Sequence, residues 1–160
     1  MSSDNKLWQF SLDLYAEPEV QKACLSLQDN HSADVNLVLF LLYRGSLGMQ
    51  LSQATIQVID NESCSFREQV IQPIRAVRKT LKGKQYSVKA DDGSLYQEML
   101  SIELSAEKIA QAQLAAITFD AVPNRPALQA AKTNVYHYAE LLGVEAPNSD
   151  LDTLLAYLKV

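Results

Sequence analysis

The chain has 160 residues, 48% hydrophobic and 21% charged, enough apolar material to bury a core without disulfides or metals and too much for long disordered tracts. Net charge is −5, but Arg75, Arg78, Lys79, Lys82 and Lys84 carry +5 with no acid among them, so the remainder sums to −10 and an overall basic nucleic-acid reader is excluded. The strongest apolar run, Leu37 to Tyr43, is far shorter than the roughly 20 residues that cross a bilayer. The polar, acidic start, Met1 to Leu7, does not read as an export signal, so the expected setting is the cytoplasm with no membrane contact.

Apolar residues recur at spacings of three and four, and strict alternation is nearly absent, which predicts helices throughout. The first is expected from Asp4, as N-cap, to Tyr15, with Leu7, Phe10 and Leu14 on one stripe and Trp8, Leu12 and Tyr15 flanking it. Pro18 suits the first turn of a second helix through Val20, Cys24 and Leu27, ended by the polar stretch Gln28 to Ser32. Ser32 is the expected cap of a third helix, Ala33 to Leu47, apolar on all sides and therefore central. Ser52 caps a fourth carrying Ala54, Ile56, Val58 and Ile59. A fifth, from about Ser65 to Leu81, contains Pro73, which predicts a kink or local irregularity.

A loop or hinge is expected near 82–93, where two glycines and two aspartates cluster. The longest helix, Ser94 to about Ala121, has Leu95, Met99, Ile102, Ala106 and Ile109 as the seam expected to pack along a neighbour. Pro123 and Pro126 separate it from Ala127 to Leu142, which Gly143 and Pro147 end. A last helix starting at Ser149 bears Leu151, Leu154, Leu155 and Leu158. The expected fold is all-α, a single-domain bundle of seven to eight helices over 1–160.

Chemistry-bearing motifs are scarce. There is no phosphate-binding glycine loop, dinucleotide fingerprint, nucleophile elbow or H-E-x-x-H. Cys24 and Cys64 belong to no ligand pattern and read as plain thiols in a reducing compartment. The distinctive feature is Gln28-Asp29-Asn30-His31-Ser32-Ala33-Asp34-Val35-Asn36, a polar cluster running into the most buried helix. Asp29, His31, Asp34 and Asn36 can converge there on a ligand, joined by Arg67 and Arg75 from the fifth helix. The structural alternative is that Ser32 caps, Asp34 offsets the helix dipole, Asn36 satisfies a buried partner, and the arginines pair with Asp34 or Glu68. Of Tyr136, His137 and Tyr138, adjacent on one helix, one tyrosine is expected in the core and the other exposed.

The run Leu7-Trp8-Gln9-Phe10-Ser11-Leu12 through Tyr15-Ala16, then Ala23-Cys24-Leu25, Leu27-Gln28-Asp29, Asp34-Val35-Asn36-Leu37 and Leu39-Phe40, followed by Phe66-Arg67-Glu68 and Pro73-Ile74-Arg75, resembles an uncharacterised family of small proteobacterial proteins, a domain of unknown function. Relatives tend to carry glycine after the histidine and tryptophan before the Arg-Glu pair, where this chain has Ser32 and Phe66. The resemblance implies a bacterial cytoplasmic setting and carries over no catalytic residue.

The leading expectation is therefore a non-catalytic helical protein-interaction module, partnered by another protein or by itself, with no cofactor and no metal. The alternative is a small-molecule or metal-binding protein or enzyme at the polar start of the third helix. A third option is weak nucleic-acid binding through 75–84.

Overall fold

The structure, a computed structural model, describes residues 3–82 and 92–160. Its elements are α1 (Ser3–Tyr15), α2 (Pro18–His31), α3 (Val35–Ser46), α4 (Gln53–Phe66), a π turn (Arg67–Ile71), α5 (Gln72–Lys82), α6 (Asp92–Ala116), α7 (Ala127–Leu141) and α8 (Ser149–Ala156). Among the described residues the only β pairing is one antiparallel bridge, Gln50 to Val122. The fold is all-α, as periodicity predicts.

α3 is the centre. It packs on α1, α2, α6 and α7, and Leu37 through Leu42 are all buried. Burying each such leucine or phenylalanine contributes about 1.5–3 kcal/mol, so a segment apolar on every side is stable only where other helices surround it. The core runs on through Leu7 and Leu14, Val20 and Leu27, Ile56 and Ile59, and Val135, and ends with Leu151, Leu154, Leu155 and Leu158 of the last segment. α3 and α7 approach so closely at Gly45 that a Cβ there would lie 2.2 Å from the Cα of Ala131.

Several boundaries differ from the sequence reading, each for a physical reason. α1 starts at Ser3, ahead of the expected cap at Asp4. α2 continues through Gln28 to His31. Ser32 does not cap α3; it adopts a left-handed conformation (φ 56°) and its N–H closes the C-terminus of α2 on Leu27 and Gln28. Asp34 caps α3 instead, two residues later. Ser52 caps α4 as expected, its hydroxyl accepting from the Thr55 N–H at 3.1 Å.

No break separates the fourth and fifth expected helices; α4, the π turn and α5 run on without interruption from Gln53 to Lys82. The irregularity expected from Pro73 is the π turn. Proline lacks an N–H, and its ring crowds the carbonyl four residues back, at Gln69, so the widened turn accommodates it. α6 ends at Ala116, not Ala121, because residues beyond it turn to bridge Gln50. Its expected seam is only partly inward: Ala106 is buried, but Leu95, Ile102 and Ile109 are each about half exposed. The loop or hinge expected near 82–93 falls largely on 83–91, outside the described residues.

Candidate functional site

Two ion clusters tie the rod of α4 and α5 to the rest of the bundle. Arg67 opens the π turn, and its Nη1 donates to Asp34 Oδ2 at 2.8 Å and to Asp60 Oδ1 at 2.9 Å. The other oxygen of Asp34 accepts from the N–H groups of Asn36 (3.0 Å) and Leu37 (3.4 Å), and its own N–H donates to the Tyr138 hydroxyl at 3.0 Å. Asp34 is thus cap and ion-pair partner together. Burial works against the Arg67 charge, but the two carboxylates outweigh it and raise its pKa. Burial also raises the pKa of the Tyr138 phenol.

Two turns along the rod, Arg75 Nε donates to Glu103 Oε1 at 3.1 Å and its Nη2 to Glu107 Oε1 at 3.2 Å. Arg78 Nε donates to the second oxygen of Glu103. Burial lifts the Glu107 carboxyl above its ordinary pKa; Arg75 opposes this, while Glu103 and Asp34 add to it. The Tyr15 phenol is raised too, first by burial and then by Cys24 and Glu107. Two of the five cations in the basic segment are therefore neutralised against α6, which leaves Lys79 and Lys82 as its exposed charges among the described residues.

Between the clusters runs a buried chain of neutral groups. Ser11 Oγ donates to Gln111 Oε1 at 2.9 Å, and Gln111 Nε2 donates to Asn36 Oδ1 at 3.1 Å. Asn36 is 7% exposed, and its Nδ2 meets no acceptor among the described residues. The one fully buried side-chain polar atom without a partner among the described residues is Arg44 Nε, so Asn36 Nδ2 is open to solvent at the recesses that Asn36 lines.

That amide stands at the junction of two recesses, each of about 120 Å³, which share Gln28, Val35 and Asn36 as a common wall. The first has Trp8, Leu12, Tyr15, Leu39 and Leu104 as apolar and aromatic walls, with Glu107, Ser11 and Gln111 as polar lining. The second is more polar and brings Asp34, Arg67, Gln72 and Arg75 together.

Of the residues singled out by sequence, Asp34, Asn36, Arg67 and Arg75 therefore meet around one cavity system, whereas Asp29 and His31 line neither recess. Asp29 is exposed on α2 and His31 half-buried at its last position. Among the described residues no three His, Cys, Asp or Glu side chains group as metal ligands. Burial pushes the Cys24 thiol up to about 12, in keeping with a packing role. His137 turns away from the recesses and donates from Nδ1 to the Leu51 carbonyl at 3.0 Å. Tyr138 is buried, while Tyr136 bonds Asp152 on the outside.

Sequence reasoning missed Trp8, Tyr15, Glu103, Glu107 and Gln111 as partners. A signal existed: Glu103, Glu107 and Gln111 recur every four residues on α6, a polar stripe on a helix that otherwise needs an apolar one.

Fold and site together define a helical bundle with a charged, hydrogen-bonded interior seam opening into a small cavity system. The match that places it is a family model described as a protein of unknown function (DUF2390), which covers residues 6–114, and the chain belongs to that family. The matched span takes in α1 through nearly all of α6, and so every residue lining the two recesses. No curated protein and no solved structure matches the chain significantly. Among the described residues no helix is long and apolar enough to cross a membrane.

Proposed function

We propose that the protein binds a small molecule in the recess walled by Trp8, Tyr15 and Asn36. The observation that carries this reading is the Asn36 amide, more than nine-tenths buried and yet with an unused N–H₂ group at the cavity. Asn36 Nδ2 has no protein partner and is not sealed from solvent, so a ligand acceptor would give it a hydrogen bond worth about 0.5–1.5 kcal/mol net. Aromatic and branched walls with a few fixed polar groups are the usual composition of a ligand pocket. Asp34 and Arg67 act here as the frame that fixes the start of α3, and Asp29 and His31 take no part.

The test is a melting-temperature screen with fractions of a deproteinised cell extract, on wild type and on Leu104→Trp, which puts bulk at the half-exposed rim of the recess. A ligand of the folded state raises the melting temperature by mass action. The expected result is a fraction that stabilises wild type and leaves Leu104→Trp unmoved. If all fractions leave wild type unmoved, or if both proteins respond equally, the proposal fails.

A second reading, a protein-interaction or self-association module, is favoured by Leu95, Ile102 and Ile109. They lie seven residues apart on α6 and are 51%, 48% and 50% exposed, a heptad row of the kind that seats a second helix. Light scattering across a concentration series tests it. A dimer lost in Ile102→Glu supports the reading, and a monomer throughout removes self-association.

A further inference from the structure

Resting on the binding reading above, we infer that the recess takes an uncharged, single-ring ligand presenting an N–H donor and a carbonyl acceptor on one edge, a primary or cyclic amide, with Glu107 accepting and the Asn36 amide donating.

Polarity sets the two ends. The chain from Ser11 through Gln111 occupies the Asn36 oxygen, so Asn36 offers the recess its nitrogen, a donor that requires an acceptor. Glu107 uses Oε1 for Arg75, and Oε2 is left as an acceptor that requires a donor. Glu107 and Gln111 are four residues apart on α6, hence neighbours on one face, about 5–6 Å between Cβ atoms. Since Gln111 holds the Asn36 oxygen, the free donor and the free acceptor belong to residues that line the same recess. A carboxamide edge, with N–H beside C=O, answers both at once.

Charge argues against ionic ligands. The two ion clusters place Asp34, Asp60, Glu103 and Glu107 against Arg67, Arg75 and Arg78, an excess of one negative charge. That excess lies with Asp34 and Asp60 around Arg67, since Glu103 and Glu107 balance Arg75 and Arg78, and an anion in the recess would meet the Glu107 carboxylate as a like-charged neighbour. A cation would set its own donors against the Asn36 N–H₂, and Arg75 already compensates Glu107. A neutral ligand avoids the penalty of taking an ion out of water.

Size and walls set the rest. A cavity of roughly 150 Å³ accepts benzene, so a recess of about 120 Å³ that is open on one side has room for no more than a single ring. Trp8, Leu12, Leu39 and Leu104 give that ring apolar surface.

Trp8 is the only tryptophan in the chain, so its emission reports the recess directly. The probes are benzamide and δ-valerolactam, against benzoate and benzylamine, titrated into full-length wild type. The expected result is a saturable change with both amides and at least tenfold weaker responses to the two ions. Asn36→Asp replaces the donor by an acceptor at constant shape and is expected to weaken benzamide at least tenfold. Glu107→Gln is the second variant should Asn36→Asp fail to fold, and it is expected to weaken benzamide while Oε1 can still accept from Arg75.

The inference is overturned if benzoate or benzylamine matches benzamide in wild type, or if benzamide affinity is the same in a folded variant. Extract fractions that stabilise wild type while the amides stay silent sink the ligand class alone. Silence in both experiments sinks the binding reading with it.

Discussion

Asp34 carries two separable contributions, and substituting it distinguishes them. Asp34→Ala removes the cap of α3, about 1 kcal/mol, and a charge-assisted hydrogen bond to Arg67, about 1.5–3 kcal/mol. The side chains are 10% and 19% exposed, so solvent screens the pair little. Arg67 keeps Asp60 as a partner, which limits the penalty of stranding its charge. The total expected is about 3 kcal/mol. Asp34→Asn retains an equally good capping oxygen and loses only the charge, so about 1–2 kcal/mol is expected. Urea unfolding at neutral pH measures both through the shift in midpoint at constant slope. A double-mutant cycle with Arg67→Met isolates the pair, with a coupling of about 1 kcal/mol or more expected between these contacting residues. If Asp34→Asn destabilises as much as Asp34→Ala, the cap contributes nothing and the reasoning fails. If Asp34→Ala costs less than about 0.5 kcal/mol, the residue does not hold the start of α3 in place.

Three further outcomes follow from the packing. Gly45→Ala drives a Cβ to within 2.2 Å of the Ala131 Cα; destabilisation of about 2 kcal/mol or more is expected despite the gain in helix propensity, and since the clash is with backbone, Ala131→Gly does not rescue it in the same unfolding assay. Asn134 is fully buried and bonds the Leu41 and Met49 carbonyls and the Leu51 N–H; Asn134→Leu strands all three, so a loss of about 3 kcal/mol or more is expected, and a loss under about 1 kcal/mol contradicts the assignment. Glu107 has its folded pKa raised, chiefly by burial, so the protonated form favours folding and that stability drains away as pH rises through the folded value; between about pH 4 and 7 wild type should lose stability relative to Glu107→Gln, and a gap moving the other way refutes the burial argument.

Helices were legible because their information is local. The apolar stripe of α8 at Leu151, Leu154, Leu155 and Leu158 is buried as its spacing requires. The all-round apolar middle of α3 is enclosed by four helices. Pro73 announced an irregularity, and the π turn sits directly before it. Where reading failed, the deciding interaction was distant. The polar run Asp60 to Ser65 looks like a break in the sequence, yet it holds no glycine or proline, and Asp60 turns inward to meet Arg67. Ser32 and Asp34 are both good caps, and only the left-handed closure of α2 at Ser32 assigns the role to Asp34. Leu95, Ile102 and Ile109 have the period of a buried seam, but α6 turns Glu103, Ala106 and Gln111 inward instead. The site was half visible. Asn36, Asp34 and both arginines stood out as polar groups near apolar runs, whereas Glu107 and Gln111 looked like an ordinary exposed face until α1, α3 and α5 closed over them.

The side-chain amide of Asn36 tests the account most directly. Its pair of proton signals in a nitrogen-correlated spectrum is assigned by its disappearance in Asn36→Asp, and the Trp8 indole signal is assigned without a variant because the residue is unique. On titration with deproteinised cell extract, both are expected to move saturably while the amide of Asn148, which caps α8 and lines neither recess, stays in place. Signals of Asn36 and Trp8 that hold still, or that move only together with Asn148, contradict a small-molecule site at this recess.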